Sequence, residues 1–495
     1  MLSKLKDTAK DTILYGLGNV AAKALGFVLI PLYIKTLSLA DFGILSLTEV
    51  IVQLLTPVMG MAIYSAMARW YWDKDYSCKQ ESIYKTSMFI VLILSSIIFI
   101  IGLLSAKYLS IILFNSIKYE SLINLVLISS FIQANLNIPF TLLRLQKKAL
   151  KYSILNLLKL ILIFGFTIYL IVFNNYGIEG IYIAQIIGSI FIFILILYFI
   201  KENLIVKIDY SFIKPMLKYS YPLAISVTSA IILTISDRFS IRYIIGFEQT
   251  GIYALGFKIS SVLKLVFITS FQMAFVPIIY QAANKEGFTR FLSKLNSYSV
   301  IVIIYASLAV GLFSKEITEL ITSDSNFTNN YIYLIIPILN LALVFDQIRY
   351  NISFGLNLAK KTKVLSGIII IMSILNIILN IILINFIGSI GAAISTLFVQ
   401  ILYVIVIYKI TNKYYKIDIE ITNIIRITVL YLIFLLPLIL LSDFTFINQI
   451  IIKALLIILF PIIAYFIWQK DKIEKQRVVE IIYKYLKLDF RKSIY

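Results

Sequence analysis

The 495-residue sequence contains no histidine and a single cysteine, Cys78. Without histidine the chain lacks the side chain most used as a general base and as a metal ligand. One cysteine permits no intramolecular disulfide and no cysteine-based metal cluster. Charge is scarce as well. Only 14% of residues are Asp, Glu, Lys or Arg, and the 25 acidic residues are outnumbered by 45 basic ones. Apolar residues fill the space: 60% of the chain is hydrophobic and its mean hydropathy is +0.94. Soluble domains sit at roughly 45–50% apolar, so this composition describes a polytopic membrane protein. The net charge of +20 does not argue for nucleic acid, because most of it falls in short loops between apolar runs. The first apolar segment is too long for a removable signal peptide, and no small-residue cleavage site follows it.

Hydropathy predicts an all-α fold of about fourteen spanning helices, near 12–35, 41–66, 85–105, 120–143, 151–173, 178–200, 216–238, 250–280, 297–314, 329–352, 363–384, 389–410, 422–441 and 448–468. With the N-terminus inside, 32 basic residues fall in inner segments, eight of them after Trp468. Six fall in outer loops: Lys35, Lys107, Lys118, Arg238, Arg242 and Lys315. This asymmetry places both termini in the cytoplasm.

The chain also repeats itself. Phe42-Gly43-Ile44 aligns with Thr250-Gly251-Ile252 at an offset of 208. Asn174 to Gly180 aligns with Asn385 to Gly391 at 211, and Lys147-Lys148 with Lys360-Lys361 at 213. Six helices separate equivalent points, so the halves share one orientation about a pseudo-twofold along the membrane normal. The expected divisions are an N-terminal six-helix lobe (1–205), a C-terminal six-helix lobe (206–415), helices 13 and 14 (416–468) and a basic cytoplasmic tail (469–495).

Enzyme motifs are few. Gly251, Gly256 and Lys258 nearly spell a phosphate-binding loop. The spacing fails by one position, the following Ser or Thr is missing, and the stretch is apolar helix rather than a strand-to-helix turn. Outer loops of about a dozen residues or fewer argue against a membrane-embedded glycan polymerase or ligase. No catalytic residues, cofactor or metal site are expected.

Two six-helix lobes, a further helix pair and patches such as FGILSL and NYGIEG together resemble the polysaccharide-transport branch of the multidrug/oligosaccharidyl-lipid/polysaccharide exporter superfamily, in particular its O-antigen and capsule-unit flippases. The resemblance covers the whole chain. It implies a V-shaped transporter in the bacterial inner membrane. The cargo it implies is an undecaprenyl-diphosphate oligosaccharide, with a glycan polymerase and a chain-length regulator as partners. The alternative of the same fold is a cation-coupled multidrug exporter.

Charged residues within the expected spans mark the candidate site, since a charge near mid-membrane costs a few kcal/mol and normally faces a wet cavity or a partner. Lys23, Lys258, Lys264 and Arg349 are the candidates for binding an anionic diphosphate. Glu49, Asp346 and Asp237 are the candidates for coupling to a proton or Na⁺. Asp346 and Arg349 lie three apart on one helix face, and Asp346 aligns with Gln133 of the first lobe. The sequence places Asp237-Arg238 as an interfacial pair closing helix 7. Lys159 and Lys453 receive no role. Trp70 and Trp72 are expected to anchor at the membrane interface.

Overall fold

The computed structural model describes residues 28–201, 207–282, 287–322, 331–359, 361–417, 419–440 and 445–468. These form α1 (Ile30–Thr36), α2 (Leu39–Gly60), α3 (Ile63–Tyr71), α4 (Gln80–Phe114), α5 (Glu120–Leu145), α6 (Ala149–Ile168), α7 (Gly177–Phe199) and α8 (Ile213–Ile244) in the first part of the chain. Then follow α9 (Phe247–Leu263), α10 (Ser270–Ala282), α11 (Phe288–Leu312), α12 (Ser314–Thr322), α13 (Ile332–Leu358), α14 (Thr362–Ile387), α15 (Ser389–Tyr414), α16 (Ile421–Leu435), α17 (Pro437–Leu440) and α18 (Phe446–Ile467).

Twelve helical stretches among the described residues are long and apolar enough to cross a membrane, and α16 is apolar but shorter. Each coincides with one of the expected spans. Of the expected first span, only the part from residue 28 onward is described, and the 469–495 tail lies outside the described residues. An apolar core that faces lipid explains the low burial of α4, α6 and α18, where side chains such as Leu104 and Phe466 stand 79% and 78% exposed.

The two halves pack alike. In the first, α2 packs on α5, α4 on α5, and α7 on both α5 and α6. In the second, α9 packs on α13, α11 on α13, and α15 on both α13 and α14. The repeat marks of the sequence become geometric equivalences. Gly177 and Gly388 both take positive φ, +55° and +66°, as α7 and α15 begin, a conformation that glycine adopts without penalty. Lys148 and Lys361 stand at the N-caps of α6 and α14. The fold therefore consists of two lobes about a pseudo-twofold, with α16 and α18 packed on α11 of the second.

The axis itself is marked by Gly43 and Gly251. A Cβ on Gly43 would lie 2.1 Å from the carbonyl oxygen of Phe247, and one on Gly251 would lie 2.4 Å from that of Leu39. Residues 39 and 247 are themselves separated by 208, so the contact is reciprocal. Backbone meets backbone because neither residue carries a side chain, the arrangement that small residues permit between helices in lipid. Around this crossing one apolar core, including Phe42, Leu45, Leu47, Tyr253, Leu255 and Ile335, joins both lobes. At the opposite end the apolar cores are separate.

The helices that cross there are both interrupted further along. α2 contains Pro57 and ends at Met61 and Ala62, both with positive φ. Immediately after Leu263, α9 passes into a π-helical segment, Lys264–Thr269. Discontinuities at corresponding depth in two halves are where transporters build central sites.

Elsewhere side chains fix the ends. Ser38 caps α2 by accepting from the Asp41 N–H at 3.1 Å. Asp209, before α8, accepts from Lys79 at 2.9 Å and ties α8 to the start of α4. The Ser211 hydroxyl, and after it Lys79, hold the Asp209 carboxyl down at about 2.

Two sequence expectations are corrected here. α8 runs to Ile244, so Asp237 and Arg238 do not close it at a surface; they are 2% and 4% exposed. Arg242 is 8% exposed in the same helix rather than in a loop. Lys453, left without a role, is 2% exposed and pairs with Glu316 of α12, clamping α18 to the second lobe. Removing one partner of a buried pair leaves the other uncompensated, at a cost of about 3–5 kcal/mol. Lys453→Ala is expected to lower thermal stability in detergent, and Lys453→Ala combined with Glu316→Ala to recover part of the loss. Equal stabilities of Lys453→Ala and wild type would contradict this clamp.

Candidate functional site

Just beyond the glycine crossing, Lys258 of α9 reaches across to Glu49 of α2 at 2.9 Å. This ion pair joins the lobes. Its ammonium also stands 5.2 Å from the Phe42 ring and 5.8 Å from that of Tyr33. The pair is partly shielded, with side chains 16% and 28% exposed, so its attraction is only partly screened by water.

One helical turn past Glu49 a cavity of about 410 Å³ opens among helices of the first lobe, with α8 at its far side. Its walls are Val52, Gln53, Thr56, Pro57 and Tyr64 of α2 and α3, Gln133, Asn137, Thr141 and Arg144 of α5, and Ile231 of α8. Six of these ten residues carry an amide or a hydroxyl, none carries a carboxylate, and Arg144 adds one guanidinium. Arg144 donates to the Thr141 hydroxyl at 2.9 Å. Among the described residues no carboxylate pairs with it. Arg144 is one of the 32 basic residues that the sequence places on the inner side, and of the other polar lining residues only Gln133 was singled out there. A signal was present. Glu49, Gln53 and Thr56 recur at helical spacing along α2, and Gln133, Asn137, Thr141 and Arg144 do so along α5, each a polar stripe on an apolar helix.

A second charged cluster lies in the other lobe. Asp346 of α13 accepts from Lys264 at 3.2 Å and from Arg349 Nη2 at 2.5 Å. The π segment begins at Lys264, and the Arg349 guanidinium also lies 4.9 Å from the Tyr403 ring. Next to this cluster runs a ladder of amides. Gln272 bonds Gln347 at 3.4 Å, Gln347 bonds Asn351 at 3.0 Å, and Asn351 bonds Asn296 at 2.9 Å and Ser299 at 3.2 Å.

Asp237 belongs to neither cluster. Its Oδ1 accepts from Asn380 at 2.8 Å, and its Oδ2 accepts from Thr396 at 2.8 Å and from Tyr253. Behind these, Ser236 bonds Asn376 Oδ1 at 2.5 Å, Asn380 bonds the same oxygen at 3.2 Å, and Ser395 bonds Asn380 Oδ1. Three neutral donors thus satisfy this buried carboxyl, and among the described residues no cation pairs with it. The adjacent Arg238 forms no ion pair with it and lies 4.3 Å from the Phe257 ring. Asn376 and Asn380, four residues apart on α14, are further site residues that the sequence analysis did not single out.

The sequence-derived candidates are therefore distributed over three places. Lys258 and Glu49 meet at the lobe interface, Lys264 and Arg349 meet on Asp346, and Asp237 lies alone among hydroxyls and amides. Lys23 lies outside the described residues.

The comparisons with known proteins agree with this geometry. The sequence profile of the family described as polysaccharide biosynthesis protein matches residues 8–283, more than half of the chain. The chain belongs to this family. A membrane protein of Methanocaldococcus jannaschii is 26% identical over 412 residues, which cover 79% of this chain and 95% of that one. Among solved structures, the lipid II flippase MurJ in an inward closed conformation is similar with a TM-score of 0.72 and 21% identity, over 92% of this chain and 99% of that one. An inward-facing multidrug resistance transporter of the MATE family is similar with a TM-score of 0.65 and 14% identity, over 79% and 94%. At these identities the likeness is one of fold. That fold is found in flippases and drug transporters alike, and the choice between them rests on the residues.

Proposed function

We propose that this family member is a flippase. It carries an undecaprenyl-diphosphate-linked oligosaccharide, an O-antigen or capsule repeat unit, from the cytoplasmic to the periplasmic leaflet by alternating access. The observation that carries this reading is how charge is disposed at the lobe interface. Glu49, one turn before the cavity on α2, and Asp346 of the second-lobe cluster are each already paired with cations. The cavity wall itself offers amides, hydroxyls and Arg144. A cationic drug would find no uncommitted carboxylate there. A glycan finds amides and hydroxyls on the α2, α3 and α5 walls, and its diphosphate finds Arg144, joined by the cations of the two clusters when those ion pairs open. Lys258, Lys264, Arg349 and Lys23 are the phosphate contacts in this reading.

No step of this transport requires the chain to make or break a covalent bond, and we read it as a transporter rather than an enzyme. The lobes are joined at the glycine crossing and parted at the cavity. Rocking about the site would break the crossing and the Glu49–Lys258 pair, open the outer side and let the glycan leave while the prenyl chain stays in lipid. With both termini in the cytoplasm, an inside-negative potential favours outward movement of the anionic head group by about 2.3 kcal/mol per charge per 100 mV. Of the three candidates for ion coupling, Asp237 is the strongest, since Glu49 and Asp346 are held by cations. Its surrounding oxygens and single carboxylate suit a monovalent ion, Na⁺ or a proton. A glycan polymerase and a chain-length regulator would take over the delivered repeat unit in the inner membrane.

Deleting the gene is expected to abolish surface glycan while lipid-linked repeat units accumulate on the inner leaflet, with no change in sensitivity to cationic dyes. Normal surface glycan with heightened dye sensitivity would favour the multidrug exporter.

A further inference from the structure

α9 touches both the buried carboxylate of the second lobe and the ion pair that joins the lobes. Tyr253, fully buried, donates its hydroxyl hydrogen to Asp237. One turn along, Phe257 lies beneath the Arg238 guanidinium at 4.3 Å. The next residue, Lys258, crosses to Glu49 of the first lobe at 2.9 Å. Arg238 is 4% exposed, and its Nε has no hydrogen-bond partner among the described residues. Directly after this stretch the helix loosens into the π segment at Lys264, a break of the kind that lets part of a helix shift.

We propose that Tyr253 is the positioning residue through which α9 reads occupancy of the Asp237 pocket and passes it to the Glu49–Lys258 pair. The inference rests on the flippase reading, and within it on Asp237 as the ion-coupling carboxylate. The chemistry is specific to the hydroxyl. In the present arrangement Tyr253 points its hydrogen at Asp237 Oδ2. A cation taking that oxygen repels the hydrogen, so the hydroxyl must rotate and present a lone pair or withdraw. The bound charge also repels the adjacent Arg238, which lies over Phe257 of α9. Both changes act on the two turns of α9 that end in Lys258. Tyr253 and Arg238 thus bias a two-state contact between lobes, which is the physical content that coupling between separate sites requires.

The test uses full-length protein in liposomes with spin labels on Ile117→Cys and Tyr331→Cys in a Cys78→Ser background. Both label positions are exposed, one on each lobe. Inter-lobe distances are measured in Na⁺ and in K⁺ at constant pH, and Na⁺ binding is measured separately with ²²Na⁺. In the otherwise unsubstituted chain, Na⁺ is expected to redistribute the distances, and Asp237→Asn to abolish both the redistribution and binding. Tyr253→Phe keeps the ring and is expected to retain ²²Na⁺ binding within a few-fold while losing most of the redistribution. A variant that only damaged the fold would lose binding and expression together. Tyr253→Phe responding to Na⁺ as the unsubstituted chain does would overturn the role of Tyr253 and leave the coupling reading intact. Absence of Na⁺ binding by the unsubstituted chain would overturn Na⁺ coupling at Asp237, and the proposal with it. Translocation of the lipid-linked oligosaccharide in the same liposomes reports on the flippase reading independently.

Discussion

Lys258→Ala is expected to reduce translocation ten- to a hundred-fold at an unchanged level of protein in the membrane. Losing a charge-assisted hydrogen bond to diphosphate accounts for about 1.5–3 kcal/mol of this. Lys258 is not a free charge, however, because Glu49 holds it across the lobe interface. Its removal also strands a half-shielded carboxylate. The two contributions separate in a double variant. If Lys258 served only to neutralise Glu49, then Glu49→Gln combined with Lys258→Ala would restore transport. If Lys258 transfers to phosphate when the lobes rock, the double variant stays as inactive as Lys258→Ala alone. The account expects the second outcome. Lys258→Arg keeps the charge and is expected to retain part of the activity, because a phosphate that accepts a point charge also accepts a guanidinium. Surface glycan in a deletion strain, scored against membrane level, is the readout.

The other large effect is expected at the glycine crossing. Gly43→Ala would place a methyl group 2.1 Å from the Phe247 carbonyl oxygen, and Gly251→Ala one 2.4 Å from that of Leu39. The obstructing atoms are backbone, so no rotamer change relieves the contact and the helices themselves must separate. Overpacking of a tight core costs about 1–3 kcal/mol, and an unyielding neighbour puts these sites at the upper end. Each variant is expected to lose thermal stability and to weaken closure at that end. The double variant should lose less than the sum, because both methyl groups push on the same contact. Gly165→Ala and Gly367→Ala lie in open space and serve as controls expected to match wild type. If Gly43→Ala behaved as these controls do, the crossing would not be what holds the lobes together.

Much of this architecture was legible in the sequence because lipid imposes simple rules. Spans must be apolar and about twenty residues long, and loop charges report side. The repeat was legible as well: the FG and TG dipeptides that align at offset 208 are the residues that meet at the axis. What composition could not convey was which side chains face one another. Lys258 and Glu49 lie 209 positions apart, and only the crossing of α2 and α9 brings them together. Asp237-Arg238 read as an interfacial pair because charges near the end of an apolar run usually are. The sequence contains no local sign that Asn380 and Thr396, from two later helices, would satisfy the carboxylate in the interior. Lys453 misled for the same reason, its partner Glu316 being 137 residues away. The polar stripes on α2 and α5 were visible at helical spacing. Their meaning depended on both stripes facing one cavity, which is a property of packing.

The central claim is that a cavity lined by neutral hydrogen-bonding groups and Arg144, with the ion-paired cations beside it, moves an anionic, sugar-bearing lipid. It is tested most directly with purified protein in liposomes that contain a fluorescent undecaprenyl-diphosphate oligosaccharide, by the fraction accessible to a membrane-impermeant quencher after a potential is imposed. The account predicts protein-dependent transfer that accelerates with a potential driving the anion across, that falls ten-fold or more in Lys258→Ala, and that is unaffected by excess cationic dye. Transfer equal to that of protein-free liposomes, together with potential-driven dye movement in the wild type, would contradict it.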